Sequence, residues 1–212
     1  MTDDLIARLS TDLKPVRRNA LQRLIVGTVL ASGVVAAIAM LMWLGTRADI
    51  ATAPGTMMFW TKFAYTLALA LLGGAATLVL ARPDGRTRWP WIAAFALLVL
   101  LLVGAVFQLA YAEPEAMMSL VIGGTSLVCP WRIVALSLPM LAGLLVALRR
   151  LAPADPTLAG LAAGLFAGGT GAWIYSFACG ENGMMFLALW YTFGIAVVAG
   201  LGALLGRFTL RW

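Results

Sequence analysis

Long apolar runs alternate with short polar interruptions along this chain, and that coarse pattern predicts its elements. Six runs, about Leu24–Leu44, Phe63–Ala81, Trp91–Tyr111, Ile133–Leu148, Thr157–Ala178 and Met184–Leu205, contain no Asp, Glu, Lys or Arg. A helix crosses the hydrocarbon of a bilayer with roughly 20 apolar residues. The pattern therefore predicts an all-α polytopic membrane protein with six transmembrane helices. The fourth run is short, and Trp131 with the stem of Arg132 extends it. The first run is longer than the apolar core of a signal peptide, so it reads as a retained helix rather than a cleaved leader.

Ahead of the first run stands "TDDLIARLSTDLKPVRR", positions 2 to 18, too polar to enter the bilayer. Wound as a helix, it places Leu5, Ile6, Leu9, Leu13 and Val16 within an arc of about 100°. Thr2 or Asp3 can cap its start, and Pro15, lacking an N–H, ends or kinks it. A short amphipathic helix is expected there. So short a segment forms no core of its own, and its apolar stripe needs a surface. Either the inner leaflet or a groove on a soluble partner supplies one. Asp3, Asp4 and Asp12 disfavour an anionic leaflet and tilt the reading toward a partner.

Charge then orients the chain. Arg8, Lys14, Arg17, Arg18 and Arg23 precede the first run; Arg82, Arg86 and Arg88 follow the second; Arg149 and Arg150 follow the fourth; Arg207 and Arg211 close the tail. Only Arg47, Lys62 and Arg132 fall on the other side. Cytoplasmic loops carry the excess of basic residues, so both termini are expected in the cytoplasm. The net charge of +6 is this same bias and implies no direct contact with nucleic acid. Trp43, Trp60, Trp131 and Trp173 fall near the outer interface, Trp89, Trp91 and Trp212 near the inner one, and Trp190 lies deeper. The organisation expected is a cytoplasmic segment over 1–23, a six-helix bundle over 24–206 and a cytoplasmic tail over 207–212.

Absences narrow the function. The chain has no histidine, and its apolar runs hold no ionisable residue. Pumps and ion-coupled transporters need such groups at mid-membrane. Catalysis needs a base, a metal cluster or paired acids, so the chain is not read as an enzyme and no cofactor is expected. Gly160, Gly164, Gly168 and Ala172 form a ladder of small residues on one face of the fifth run, and Gly202 and Gly206 repeat the spacing in the sixth. Such ladders let helices approach closely, within the bundle or at a homodimer seam.

Chemistry concentrates in two thiols, in "TSLVCPWRIV" (Cys129) and "YSFACGENGM" (Cys179). Both fall at the outer interface, one before the fourth run and one after the fifth. Three readings stay open: two unrelated small side chains, a structural disulfide, or a switchable pair. Pro130 suits the first helical position and places Cys129 at an N-cap beside Arg132, where a thiolate is favoured. Cys129 is thus expected to be the more reactive thiol and Cys179 the resolving one. A soft metal held transiently between Cys129 and Cys179 is a further expectation. The methionine pairs Met57-Met58, Met117-Met118 and Met184-Met185, and Met40 and Met42, also lie on this side, as flexible filler or as soft ligands.

The leading "DLIARLSTDLKPVRR", six runs, "CPWR" and "CGENG" together resemble the NrsF-type membrane anti-sigma factors, negative regulators of extracytoplasmic-function sigma factors of the sigma-F class. The resemblance covers essentially the whole chain. It implies that the N-terminal segment sequesters a sigma factor at the bacterial inner membrane, with Leu5, Leu9, Leu13, Pro15 and Val16 as the contacts, to which the apolar stripe adds Ile6. It implies too that Cys129 and Cys179 govern release under heavy-metal or oxidative stress. The alternative function is a small-molecule or metal channel or exporter with a Met- and Cys-rich outer face. The oligomeric state is open, and the glycine seam of the fifth run is the candidate for carrying a signal across the bundle.

Overall fold

The computed structural model describes residues 20–151 and 153–211. Helices make up the regular structure of those residues: α1 (Ala20–Trp43), α2 (Met57–Leu80), α3 (Trp89–Ala110), α4 (Pro114–Val121), α5 (Cys129–Leu148), α6 (Pro156–Tyr175) and α7 (Met184–Thr209). All but α4 are long and apolar enough to cross a membrane. The amphipathic helix expected at the start, with Leu5, Ile6, Leu9, Leu13, Pro15 and Val16, falls outside the described residues.

Local chemistry starts these helices where they start. Thr56 caps α2 by accepting from the Phe59 amide. Asp155 caps α6 by accepting from the Thr157 and Leu158 amides at 3.0 and 2.9 Å. Proline, whose missing N–H costs nothing in a first turn, stands at the start of α3, α4, α5 and α6. Hydroxyls inside the spans are consumed at home: Thr66, Thr77 and Ser137 each donate to the carbonyl four residues earlier. No water is needed to satisfy them in an apolar layer.

Helix α6 sits at the centre, packed against α7, α2 and α5. Its glycines make that position possible. A Cβ on Gly164 would stand 2.5 Å from the Val198 carbonyl oxygen, and one on Gly160 would collide with the Gly202 carbonyl. On another face, a Cβ at Gly169 would lie 2.6 Å from the Ala70 nitrogen of α2. The ladder is therefore an internal seam, already filled by α7. At the opposite extreme, α3 turns Ile92, Phe95, Leu100 and Phe107 outward. A helix that packs so little of its surface on protein needs lipid against it.

Several expected boundaries move. Helix α2 begins at Met57 rather than Phe63, and α5 at Cys129 rather than Ile133. Lys62 and Arg132 thus lie inside spanning helices, and the expectation of spans free of ionisable residues is corrected. Hydropathy ended those runs at the first charge, whereas the backbone continues helical through it. Helix α6 ends at Tyr175, before Ala178, and α7 continues through Arg207 to Thr209. Within α7, Leu187–Tyr191 widens into a π-helical turn, and the short α4 was unforeseen.

Candidate functional site

The loops 44–56, 111–128 and 176–183 meet at one end of the bundle, and both cysteines lie beneath them. Cys129 is the first residue of α5, and Cys179 follows the last turn of α6, its amide donating to the Tyr175 carbonyl at 3.1 Å. Both are free thiols, 0 % and 4 % exposed, in one apolar cluster with Met40, Met58, Ile133, Phe186 and Tyr191. Both side chains belong to that one buried cluster. The tertiary structure thus joins two residues fifty positions apart in sequence.

Cations converge on the pair. Lys62, only 2 % exposed, donates from Nζ to the Cys179 carbonyl at 3.1 Å. Arg47 is buried and forks onto Asp49, with Nε at 2.6 Å from Oδ1 and Nη2 at 2.7 Å from Oδ2. Its amide donates to the Phe177 carbonyl, tying the 44–56 loop to the Cys179 loop. That fork holds the Asp49 carboxyl below the usual carboxylate range. Tyr175 is buried in the same cluster as Cys129. Buried polar atoms without partners gather at this same end: Arg47 Nη1, Arg132 Nε, Trp173 Nε1 and Tyr191 Oη. Tyr191, in the same cluster as Cys179, is carried by the π-helical turn of α7, a distortion common at functional sites.

A polar latch closes the end. Glu181 Oε1 accepts from the Gly124 amide at 2.9 Å and the Thr125 hydroxyl at 3.0 Å. The Thr125 carbonyl in turn accepts from the Cys129 amide at 2.8 Å. Gly123 holds φ at +58°, and a Cβ there would strike the Glu181 carboxylate. Gln108 of α3 adds a second tie, accepting from the Met184 amide at 2.7 Å. Trp190, placed deep by the sequence pattern, donates from its indole N–H to the Val121 carbonyl at 3.0 Å.

Cys129 and Cys179 are therefore brought together, while the methionines divide: Met40 and Met58 join the cysteine cluster, but Met42, Met57 and Met118 point outward. Among the described residues no three His, Cys, Asp or Glu side chains gather to hold a metal. A soft cation taken up here would rest on the two sulfurs. The expected N-cap position of Cys129 is corrected. Val128, not Cys129, is the cap of α5. Cys179 is the thiol pulled down, to about 5, by the Cys129 thiol donating to it and by the Lys62 charge, against the opposing effect of burial. Sequence reading missed Lys62, Arg47, Arg132, Tyr175, Tyr191 and Glu181. A signal for three of them was present, since the charge pattern set Arg47, Lys62 and Arg132 apart from the other basic residues of the sequence.

Comparison with known proteins agrees with this picture in extent. The chain is 39% identical over 212 residues to the anti-sigma-F factor NrsF of Caulobacter vibrioides, covering all of this chain and 99% of that protein. It is also 39% identical over 215 residues to the probable anti-sigma-F factor NrsF of Azospira oryzae, covering all of this chain and 99% of that protein. No solved structure matches it. The family profile NrsF, described as negative regulator of sigma F, matches residues 9–212, and the chain belongs to that family.

Proposed function

We propose that this protein is an anti-sigma factor of the bacterial inner membrane. Its N-terminal segment holds an extracytoplasmic-function sigma factor away from RNA polymerase, and the cysteine pair on the periplasmic side decides release. The observation that carries this reading is the similarity to named anti-sigma-F factors along the whole chain, leading segment included. The capture surface is the stripe of Leu5, Ile6, Leu9, Leu13 and Val16, with Pro15 ending the helix. The stimulus is a heavy metal or oxidant that bridges or modifies Cys129 and Cys179. Two free thiols in one buried cluster suit both, since a disulfide or a two-coordinate soft cation takes two sulfurs. Cys179 follows directly on helix α6, which packs on α7 through its glycine ladder, and that seam is the route of coupling in this reading.

The test is capture of the cell's sigma factors on the full-length protein in detergent. Wild type retains one sigma factor, and Leu9→Asp/Leu13→Asp retains none. Equal retention by both would move the contact off the stripe, and retention by neither would remove the anti-sigma reading.

A further inference from the structure

Helix α3 leans on α2 and on the first turns of α7, but it stands off from α6. The gap is an apolar crevice of about 290 Å³, walled by Trp91, Phe95 and Leu98 of α3, Leu161 and Leu165 of α6 and Ile195 of α7. Tyr65 and Thr192, the two hydroxyls on its wall, bond each other at 2.8 Å and need no occupant. Toward the end of the bundle away from the cysteines, the crevice adjoins a second cavity of about 580 Å³. Arg86, Thr87 and Arg88 of the α2–α3 loop line that cavity, with Asp155 and Leu158 where α6 begins. Trp91 lines both cavities, and Leu158, Leu161 and Leu165 carry one face of α6 from one to the other.

Charge and depth together narrow the occupant. Asp155 commits Oδ1 to the cap of α6. Arg86 and Arg88 are exposed, and neither pairs with an acid among the described residues. Guanidinium groups in that position suit a phosphate. A soluble anion would use the arginines and leave the crevice unexplained. A peptide cannot follow the crevice downward, since its backbone amides would go unpaired in an apolar layer. A phospholipid meets both demands, because basic pockets between spanning helices take anionic headgroups at the bilayer edge.

We propose that the two cavities form one site for an anionic phospholipid, its phosphate on Arg86 and Arg88 and one acyl chain in the crevice between α3 and α6. From Trp91 to Leu98 the crevice follows α3 for about 10 Å at the rise of a helix. The chain supplies the packing that α3 lacks against α6. Thr87 adds a hydroxyl at the headgroup, and the second acyl chain lies along the exposed face of Ile92 and Phe95. The site is independent of the sensor reading.

The experiment takes the full-length protein, stripped of co-purified lipid in detergent, and counts bound phospholipid by native mass spectrometry during titration. Phosphatidylglycerol and phosphatidylcholine with identical acyl chains are compared. Wild type binds one phosphatidylglycerol roughly 30-fold more tightly than Arg86→Gln/Arg88→Gln does, as expected for two arginines beside a headgroup. That variant treats the two lipids alike. Arg149→Gln/Arg150→Gln removes equal charge outside the cavity and keeps the wild-type preference. Ala196→Trp, at an exposed position on the crevice wall, blocks the chain and weakens both lipids. Equal loss of preference in the two arginine variants would reduce the effect to general surface charge and overturn the proposal. Undiminished binding to Ala196→Trp would overturn it as well. Displacement of phosphatidylglycerol by an equal concentration of glycerol phosphate would make this a free-phosphate site and remove the lipid. Phosphatidylglycerol binding that emerges only in Asp3→Asn/Asp4→Asn/Asp12→Asn would give the cavity to the acidic leading segment, and would equally overturn the proposal.

Discussion

A carboxylate one turn from a cysteine can serve as a clamp rather than as an acid, and Glu181 is placed for that. It receives the Gly124 amide and Thr125 hydroxyl, and Thr125 in turn positions the first amide of α5. Removing it frees two donors and unties the loop ahead of Cys129 from the loop that bears Cys179. Charge-assisted bonds at a partly exposed site are worth on the order of 1–2 kcal/mol together. Glu181→Ala is therefore expected to lower the thermal unfolding midpoint in detergent. The same variant should quicken alkylation of both buried thiols several-fold, whereas Glu181→Gln, which keeps an acceptor oxygen, should recover most of the loss. Stability that falls without a change in thiol access would show that the latch holds the loops but does not shield the sulfurs.

At the scale of the helix, the decisive feature is how little side chain α6 carries where it meets its neighbours. Without water inside the bilayer, helices associate through close packing, and backbone approach depends on small residues. Gly164 has the Val198 oxygen and the Ala199 Cα at 2.5 and 2.6 Å from where a Cβ would be. Gly164→Val must push α7 outward, at a cost of roughly 1–3 kcal/mol for overpacking. Gly200, with open space around its would-be Cβ, is the control position. Gly200→Val is expected to leave the unfolding midpoint nearly unchanged while Gly164→Val lowers it. Equal effects at the two sites would mean that the seam tolerates separation. If it carries the coupling we propose, Gly164→Val should also weaken the effect of thiol modification on sigma-factor retention.

For the molecule as a whole, the proposed orientation makes the two ends chemically distinct. The end with Arg82, Arg86 and Arg88 should face the cytoplasm, and the cysteine end the periplasm. In a Cys129→Ser/Cys179→Ser background, a cysteine introduced at Asp84 should react with a membrane-impermeant maleimide only in inside-out vesicles. One introduced at Tyr111, which is exposed near the cysteine end, should react only from the outside of intact spheroplasts. Reversed labelling would place the thiols in the reducing cytoplasm and remove the stimulus from the periplasm. The same orientation requires the capture segment to lie on the side of RNA polymerase, a full bilayer away from the sulfurs.

Hydropathy alone determined that six helices exist and roughly where, because about 20 apolar residues without charge have few alternatives to a spanning helix. It also drew attention to both cysteines, since a thiol is rare enough here to be noticed by type. The same rule misplaced the starts of α2 and α5, where Lys62 and Arg132 interrupt the apolar run but not the helix. A charge can be carried into a span only when particular groups receive it, and for Lys62 that group, the Cys179 carbonyl, comes from a loop far along the chain. The neighbours of the two thiols were likewise beyond the linear chain, because Lys62 and Tyr191 arrive from α2 and α7. Apolar burial is a local property written residue by residue. The electrostatics of a buried site is a sum over neighbours, and only the packed bundle decides who they are.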